Sequence, residues 1–437
     1  MKEIKNKLND LSPNLKNDKK DSKNQSTVKD YLQRLFPNTS STKYFPDTRL
    51  QQQASGLEEL VGGHWINTPF GDIFRSEFVW DLNEMYGNYK LSTIYSIEKS
   101  AFSHVFNTPL LPSWESLIFL DTETTGLIGG TGTVAFMVGI GFIKNRYFHV
   151  HQYFISHLSH EEGMLELVRS LMDSYHTVVT YNGKIYDIPL LNTRFVMNHL
   201  PPLDEDMPHG DLLHPSRNLW KFSQENCKLI TLEREKLGFE REEDIPGELI
   251  PGIYFEYMRL NRIDMLTKVF IHNRWDIITL LALLIRVIES YGQLHAEENP
   301  LDDYAKGRLF KNRQEYERSI AHYRHVLSSN ITPQRRQKTL LELGALLKKL
   351  GYLEDALAAW TEACDILYLF SYEGYVERAI YYEHREKNLE KALSVVKEAL
   401  ARIPSYRQAE IESLCYRQNR LQRKIEAKSN HDRHFSS

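Results

Sequence analysis

The sequence predicts a mixed-sheet α/β domain over residues 114–291, followed by an all-α domain of stacked helix pairs over residues 300–428. Two observations lead there. Between 114 and 291, apolar runs of strand length come first and then alternate with segments of helical period. Beyond residue 300 the strand-like runs stop, and small residues and aromatics recur with a period near 36. A length of 437 residues suggests about three domains, or two and a tail. Hydrophobic residues at 41% and charged residues at 26% are ordinary for a globular chain.

Residues 1–45 carry ten Lys/Arg against five Asp/Glu and few large apolar side chains, so a mostly disordered arm is expected. Within it, Tyr31, Leu32, Leu35 and Phe36 share one helical face over 28–36, which could dock on the body or on a partner. Residues 46–113 are rich in glycine and aromatics (Gly62-Gly63, Phe70-Gly71, then 73–80) and read as short antiparallel strands leading into the main domain. Next comes a strand at 117–120 and a loop with Gly126, Gly129, Gly130 and Gly132. Strands follow at 134–143, 147–155 and 177–181, with helices at 161–175, 188–198, 229–237 and 264–291. In the last region, Gly307, Phe310, Ser319 and Tyr323 align with Gly344, Leu347, Ala356 and Trp360. A weaker third copy keeps Ala392, Ala399 and Pro404, with Ile380 where a glycine is usual. This pattern resembles tetratricopeptide repeats, in which a single hairpin cannot bury its own apolar face and must stack. Residues 429–437 read as a disordered tail.

Several function classes are disfavoured by composition. A net charge of −4 gives no global basic field, so nucleic acid would have to be held by local patches. Three dispersed cysteines (Cys227, Cys364, Cys415) suggest neither a disulfide framework nor a zinc site, and fit a reducing cytoplasm. No secretory apolar segment opens the chain, and no run of about 18 apolar residues predicts a membrane span.

The chemistry points to carboxylates. Asp121 and Glu123 stand two apart directly after the apolar run 117–120, so both face one side of a strand end. Paired buried charges need compensation, and a hard divalent cation supplies it. The alternative is a solvated turn. Asp187 closes the segment Tyr181-Asn182-Gly183-Lys184-Ile185-Tyr186 and opens a helix, as a cap or as a further ligand. His272 and Asp276 are four apart, on one face of the long apolar helix. Asp211 more simply orders a turn. The loop Gly129-Gly130-Thr131-Gly132 lacks the Lys-Ser/Thr of a nucleotide-binding P-loop.

In this order the motifs resemble the DEDD exonuclease superfamily of the ribonuclease H-like fold. Asp121/Glu123, then Asn182 to Asp187, then His272/Asp276 match its three motifs. That superfamily usually has a His five or a Tyr four positions before the last Asp; here a His stands at four. Residues 122–141, 211–221 and 229–251 further resemble the YprB (mitomycin repair factor B) family, over about 50–410 of the chain. The resemblance implies a metal-dependent 3′–5′ DNA exonuclease joined to tetratricopeptide repeats. It also implies bacterial DNA repair beside a superfamily 2 helicase, a partner surface on the repeats, and a place in the cytoplasm with the nucleoid. Asp121, Glu123, Asp187 and Asp276 would hold two Mg²⁺ or Mn²⁺ ions about 4 Å apart, and His272 would orient or deprotonate water. Asn182, Lys184, Arg217, Lys221, Arg234 and Lys236 are candidate phosphate or substrate partners, and Trp220 or Tyr186 a stacking platform. An RNA exonuclease, or an inert adaptor working through its repeats, are the competing expectations.

Overall fold

The structure, a computed structural model, describes residues 56–126, 132–292 and 299–434. The expected arm with its apolar face at 28–36, the glycines Gly129 and Gly130, and residues 435–437 lie outside the described residues, whereas 429–434, expected as disordered tail, continue the last helix.

The chain begins with α1 (Leu57–Val61), β1 (His64–Thr68), β2 (Gly71–Asp81), the short pair β3 (Met85–Tyr86) and β4 (Tyr89–Lys90), and α2 (Lys99–Phe106). It continues with β5 (Leu117–Thr124), β6 (Ala135–Lys144), β7 (Tyr147–Ile155), α3 (Glu161–Met172), β8 (Thr177–Thr180), α4 (Asp187–Met197), β9 (His209–Asp211) and α5 (Leu213–Trp220). Then come α6 (Leu229–Leu232), α7 (Ile250–Leu260) and the 30-residue α8 (Ile263–Gly292).

Seven strands form one sheet in the order β1-β2-β7-β6-β5-β8-β9. The pairs from β1 to β5 are antiparallel, and β8 and β9 run parallel to β5. The glycine- and aromatic-rich lead-in thus extends the main sheet. Parallel β5, β8 and β9 send their carboxyl ends to one rim, where a ligand site is expected in open sheets.

Alternation along β5 assigns its side chains. Ile118 and Leu120 enter the core layer that includes α3, α4 and α7, while Leu117 and Phe119 enter the opposite layer. Asp121 and Glu123 continue that second face. The long α8 crosses between layers. Leu266, Val269 and Phe270 belong to the first, and Ile277 to Ile288 to the second. His272, Asn273 and Asp276 occupy the crossover. Two β6 glycines let the helix come close: a Cβ on Gly139 would lie 2.2 Å from Asn273 Oδ1, and one on Gly141 2.6 Å from Ile277 Cγ2.

The strand-only expectation for 46–113 missed α1 and α2, and within 114–291 three more elements escaped the sequence reading. β9 is three residues long, too short to show alternation. In α7 and α5 the prolines Pro251 and Pro215 look like breakers, yet sit in the first turn, where proline is tolerated. The expected helix at 229–237 is instead α6 followed by a π-helical turn, Glu233–Leu237.

The remainder is helical: α9 (Pro300–Asn312), α10 (Tyr316–Ser328), α11 (Pro333–Lys349), α12 (Leu353–Asp365), α13 (Tyr372–His384), α14 (Leu389–Arg402) and α15 (Gln408–His434). These stacked antiparallel pairs are compatible with tetratricopeptide packing. Gly307 lies under Tyr323 and Gly344 under Trp360, where a Cβ would meet ring atoms at 2.5 and 2.4 Å. In the third pair, buried Ala379 packs with Ala392, Val396 and Ala399. Leu309 of α9 reaches into the core layer of α8, so the helical region is fused to the sheet domain. Among the described residues no helix is long and apolar enough to cross a membrane.

Candidate active site

The apolar run of β5 carries Asp121 and Glu123 into a largely buried position at the rim. Burial drives the Asp121 carboxyl well above its ordinary range, helped by the charges of Asp276, Glu123 and Asp187. Burial also lifts Glu123 to about 8, although the nearby His272 pulls the other way. Asn273 Nδ2 donates to Asp121 Oδ2 at 2.9 Å. Asn273 is itself fixed by Gln152, whose Nε2 donates to Asn273 Oδ1 at 2.9 Å and to Phe270 O at 2.8 Å. Gly139, directly opposite Asp121 on β6, leaves the space this relay needs.

Asp187 is the first residue of α4 and approaches the strand end from the other face. Thr122 Oγ1 donates to its Oδ1 at 2.5 Å. Burial raises the Asp187 carboxyl to about 6, against the lowering effect of that bond. The loop before it is held by Asp211, whose oxygens accept from the backbone N–H of Asn182 (2.8 Å), Lys184 (3.1 Å) and Leu213 (3.0 Å). Asp211 therefore orders the turn that presents Asp187.

The third element is α8. Its four-residue spacing puts His272 Nε2 3.3 Å from Asp276 Oδ2. His272 Nδ1 faces Asp244 Oδ1 at 2.8 Å. Glu123, His272 and Asp276 each offer a ligand atom within 4.8 Å of the others. Burial works to lower the His272 pKa, but Asp276, Asp244 and Glu123 outweigh it and hold it up at about 11. Asp276, despite burial, is held below the usual carboxylate range by His272 and Arg241.

Arg241, Asp244, Glu233, Asn273 and Thr122 were missed in the sequence. Arg241 is buried and spreads its guanidinium over three carboxylates: Nε to Glu233 (2.6 Å), Nη1 to Asp244 (3.2 Å) and Nη2 to Asp276 Oδ1 (2.6 Å). Glu233 also accepts from Tyr86 and from Thr279, the latter at 2.5 Å. The charge run 240–244 reads as solvated surface, and only the fold brings it beside α8. For Asn273 a signal existed, since it directly follows His272.

The substrate candidates fall in different places. Lys184, Arg217 and Lys221 are exposed. Arg234 is also exposed and pairs with Glu235 at 2.9 Å. Asn182 lies in the pinned loop with φ at 67°. Two expectations need correction. Lys236 is bound to Asp302 at 2.7 Å and nearly buried, so it ties the domains together rather than meeting a phosphate. Trp220 is 1% exposed and cannot stack on a base, whereas Tyr186 is 54% exposed.

The donor set fits a divalent cation. Asp121 and Glu123, half-buried, and Asp187, buried, are oxygen donors whose ionised forms desolvation disfavours, a cost that Arg241 and His272 do not offset. A hard cation with oxygen ligands would complete such a cluster.

Residues 118–288 match the RNase H superfamily. The uncharacterized protein YprB of Bacillus subtilis (strain 168) is 31% identical to this chain over 376 residues, covering 82% of this chain and 88% of that protein. An RNase H-superfamily domain supports a nuclease hydrolase, and such nucleases typically use divalent metals. A relative this similar over most of both lengths decides the lineage: the chain belongs to the YprB family, with an RNase H-superfamily domain as its sheet domain.

Proposed function

We propose that the protein is a metal-dependent 3′–5′ exonuclease of the DEDD type, acting on DNA. One observation carries the reading: Glu123, His272 and Asp276 meet within 4.8 Å, and Asp121 and Asp187 act electrostatically on the same cluster. Asp121, Glu123, Asp187 and Asp276 would hold the Mg²⁺ or Mn²⁺ ions. Bound there, divalent ions supply an acidified water and offset charge on the leaving 3′ oxygen.

The protein's own groups do the rest. Arg241 engages Asp276 Oδ1 and leaves Oδ2 turned toward His272. Asn273 fixes Asp121, and Thr122 fixes Asp187. Asp244 holds Nδ1 of His272 and so aims Nε2 at the carboxylates. Asp276 and Asp244 keep that imidazole charged. When the charge of Asp276 is engaged elsewhere, Nε2 can accept the proton of the attacking water.

DNA repair of mitomycin-type lesions beside a superfamily 2 helicase, with the helical region as partner platform, is the wider proposal. It draws on the family resemblance, as does a cytoplasmic, nucleoid-associated location. Digestion of 5′-labelled single- and double-stranded DNA with Mn²⁺ tests the activity. The expected result is a ladder shortening from the 3′ end, absent with chelator and in Asp121→Ala and Asp276→Ala. Digestion of matched RNA but not DNA would replace the substrate. Unchanged digestion by both variants would defeat the site.

A further inference from the structure

Between α5 and α9 lies a cavity of about 250 Å³, lined chiefly by Asn218, Lys221, Phe222, Arg308, Asn312 and Arg313. Its lining holds three cations and no carboxylate. Phe222 projects from the end of α5 onto Tyr304, with ring centroids 5.1 Å apart. Three cations crowd that one ring: Lys221 at 5.2 Å, Arg308 at 5.7 Å and Arg335 at 5.2 Å. Like charges gathered this closely repel, and ring faces offset only part of that.

Pairing sharpens the contrast. Elsewhere on the helical region Arg336, Lys348 and Arg318 each hold a glutamate within 2.6 Å. Among the described residues, neither Lys221 nor Arg335 has a carboxylate within 4 Å, and Arg335 Nη1 is buried without a hydrogen-bond partner. Arg313 donates to the carbonyls of His104 and Val105 and lies over the Tyr291 ring at 4.9 Å, with no carboxylate within 4 Å among the described residues. Glu342 stands 3.7 Å from Arg308 Nε, but already accepts from the hydroxyls of Tyr304 and Tyr323 at 2.8 and 2.7 Å. One turn before Lys221 on the exposed face of α5, Arg217 acts electrostatically on Tyr181, at the start of the loop that leads to Asp187. Arg217 and Lys221 therefore set two cations along α5, between the loop that starts at Tyr181 and the cavity.

We propose that this junction is a second nucleic-acid contact, a site for the phosphodiester backbone of a single strand whose 3′ end lies at the carboxylate cluster. It rests on the nuclease reading. Neutral Asn218 and Asn312 beside Lys221, Arg308 and Arg313, with Arg335 at the cavity edge across the Phe222 ring, suit phosphate and sugar oxygens, and no base-specific pocket is needed. The helical region would then be part of the substrate track as well as a partner platform.

The test is the full-length double variant Arg308→Gln/Arg335→Gln. Binding of a fluorescein-labelled 25-nucleotide DNA is read by anisotropy in EDTA over a range of salt. Losing two phosphate contacts should weaken binding roughly tenfold and flatten the log–log salt slope by about 1.4. With Mn²⁺, hydrolysis of the p-nitrophenyl ester of thymidine 5′-monophosphate, which spans only the scissile bond, should be unchanged. Unaltered 25-mer affinity and slope would overturn the proposal, as would an equal loss on the small ester. A parent protein that binds no 25-mer would also overturn it. If the parent binds and the variant loses affinity, but neither cleaves anything, the backbone site stands and the nuclease reading falls. Should the double variant fail to fold, Arg308→Gln alone, at a partly exposed position, should still flatten the slope by about 0.7.

Discussion

Replacing Arg241 by methionine probes the charge arrangement beneath the candidate site. Its side chain is 2% exposed, and that of its partner Glu233 is 1% exposed. Methionine fills similar space and removes every donor. Three carboxylates then lose a buried partner at 2.6, 3.2 and 2.6 Å. Removing one partner of a buried pair costs about 3–5 kcal/mol, because a charge is left without compensation. At about 2–4 °C per kcal/mol, the melting temperature should fall by roughly 6–20 °C. The loss depends on pH. Asp276 is held below its ordinary range, so its stabilising contribution is complete at neutral pH and is lost only as pH falls through its depressed folded value. In the variant, the orphaned Glu233 and Asp276 escape the penalty by binding protons. The deficit should therefore be full at pH 8 and shrink toward pH 5. Differential scanning calorimetry of metal-free protein at both values measures it. A change under 2 °C at pH 8 (on the order of 1 kcal/mol or less), or an equal loss at both pH values, would refute the argument.

Two further outcomes follow from the same geometry. Glu123 titrates near 8, so at pH 6.5 it carries a proton in the metal-free protein, and burial pushes the neighbouring Asp121 carboxyl upward as well. Mn²⁺ binding should release the Glu123 proton there, and apparent affinity should climb as pH rises toward 8; calorimetry in two buffers of different ionisation enthalpy reads this, and no buffer dependence would contradict it. Gly139→Ala sets a Cβ 2.2 Å from Asn273 Oδ1, so Asn273 must leave Asp121. About 1–3 kcal/mol of stability should be lost in urea unfolding, with at least tenfold weaker Mn²⁺ binding, and parent-like affinity would show that the relay does not position Asp121.

Much of the sheet domain is legible in the chain because its signals are long. β6 buries nine of ten residues, and α8 keeps an apolar face over 30. The carboxylates declare themselves through spacing, two apart on β5 and four apart on α8. What the sequence hides is whatever depends on distant segments. Arg241 sits in a run of acids and looks solvated, yet three carboxylates from the π-turn, its own loop and α8 enclose it. Lys236 looks like a free surface cation until Asp302 arrives from the helical region. Trp220 looks available for stacking, but α5 turns it into the core. Short β9 and the proline-opened α5 and α7 carry too little period to be seen.

The central claim is that Asp121, Glu123, Asp187 and Asp276 form a divalent-metal centre. Anomalous diffraction from crystals grown with Mn²⁺ and thymidine 5′-monophosphate addresses it most directly. The account predicts Mn²⁺ peaks bounded by these carboxylates, with the nucleotide phosphate beside them, and none at this rim in Asp121→Asn. Full-occupancy Mn²⁺ only on surface acids, with the rim carboxylates still bonded to Arg241, His272 and Asn273 alone, would contradict it.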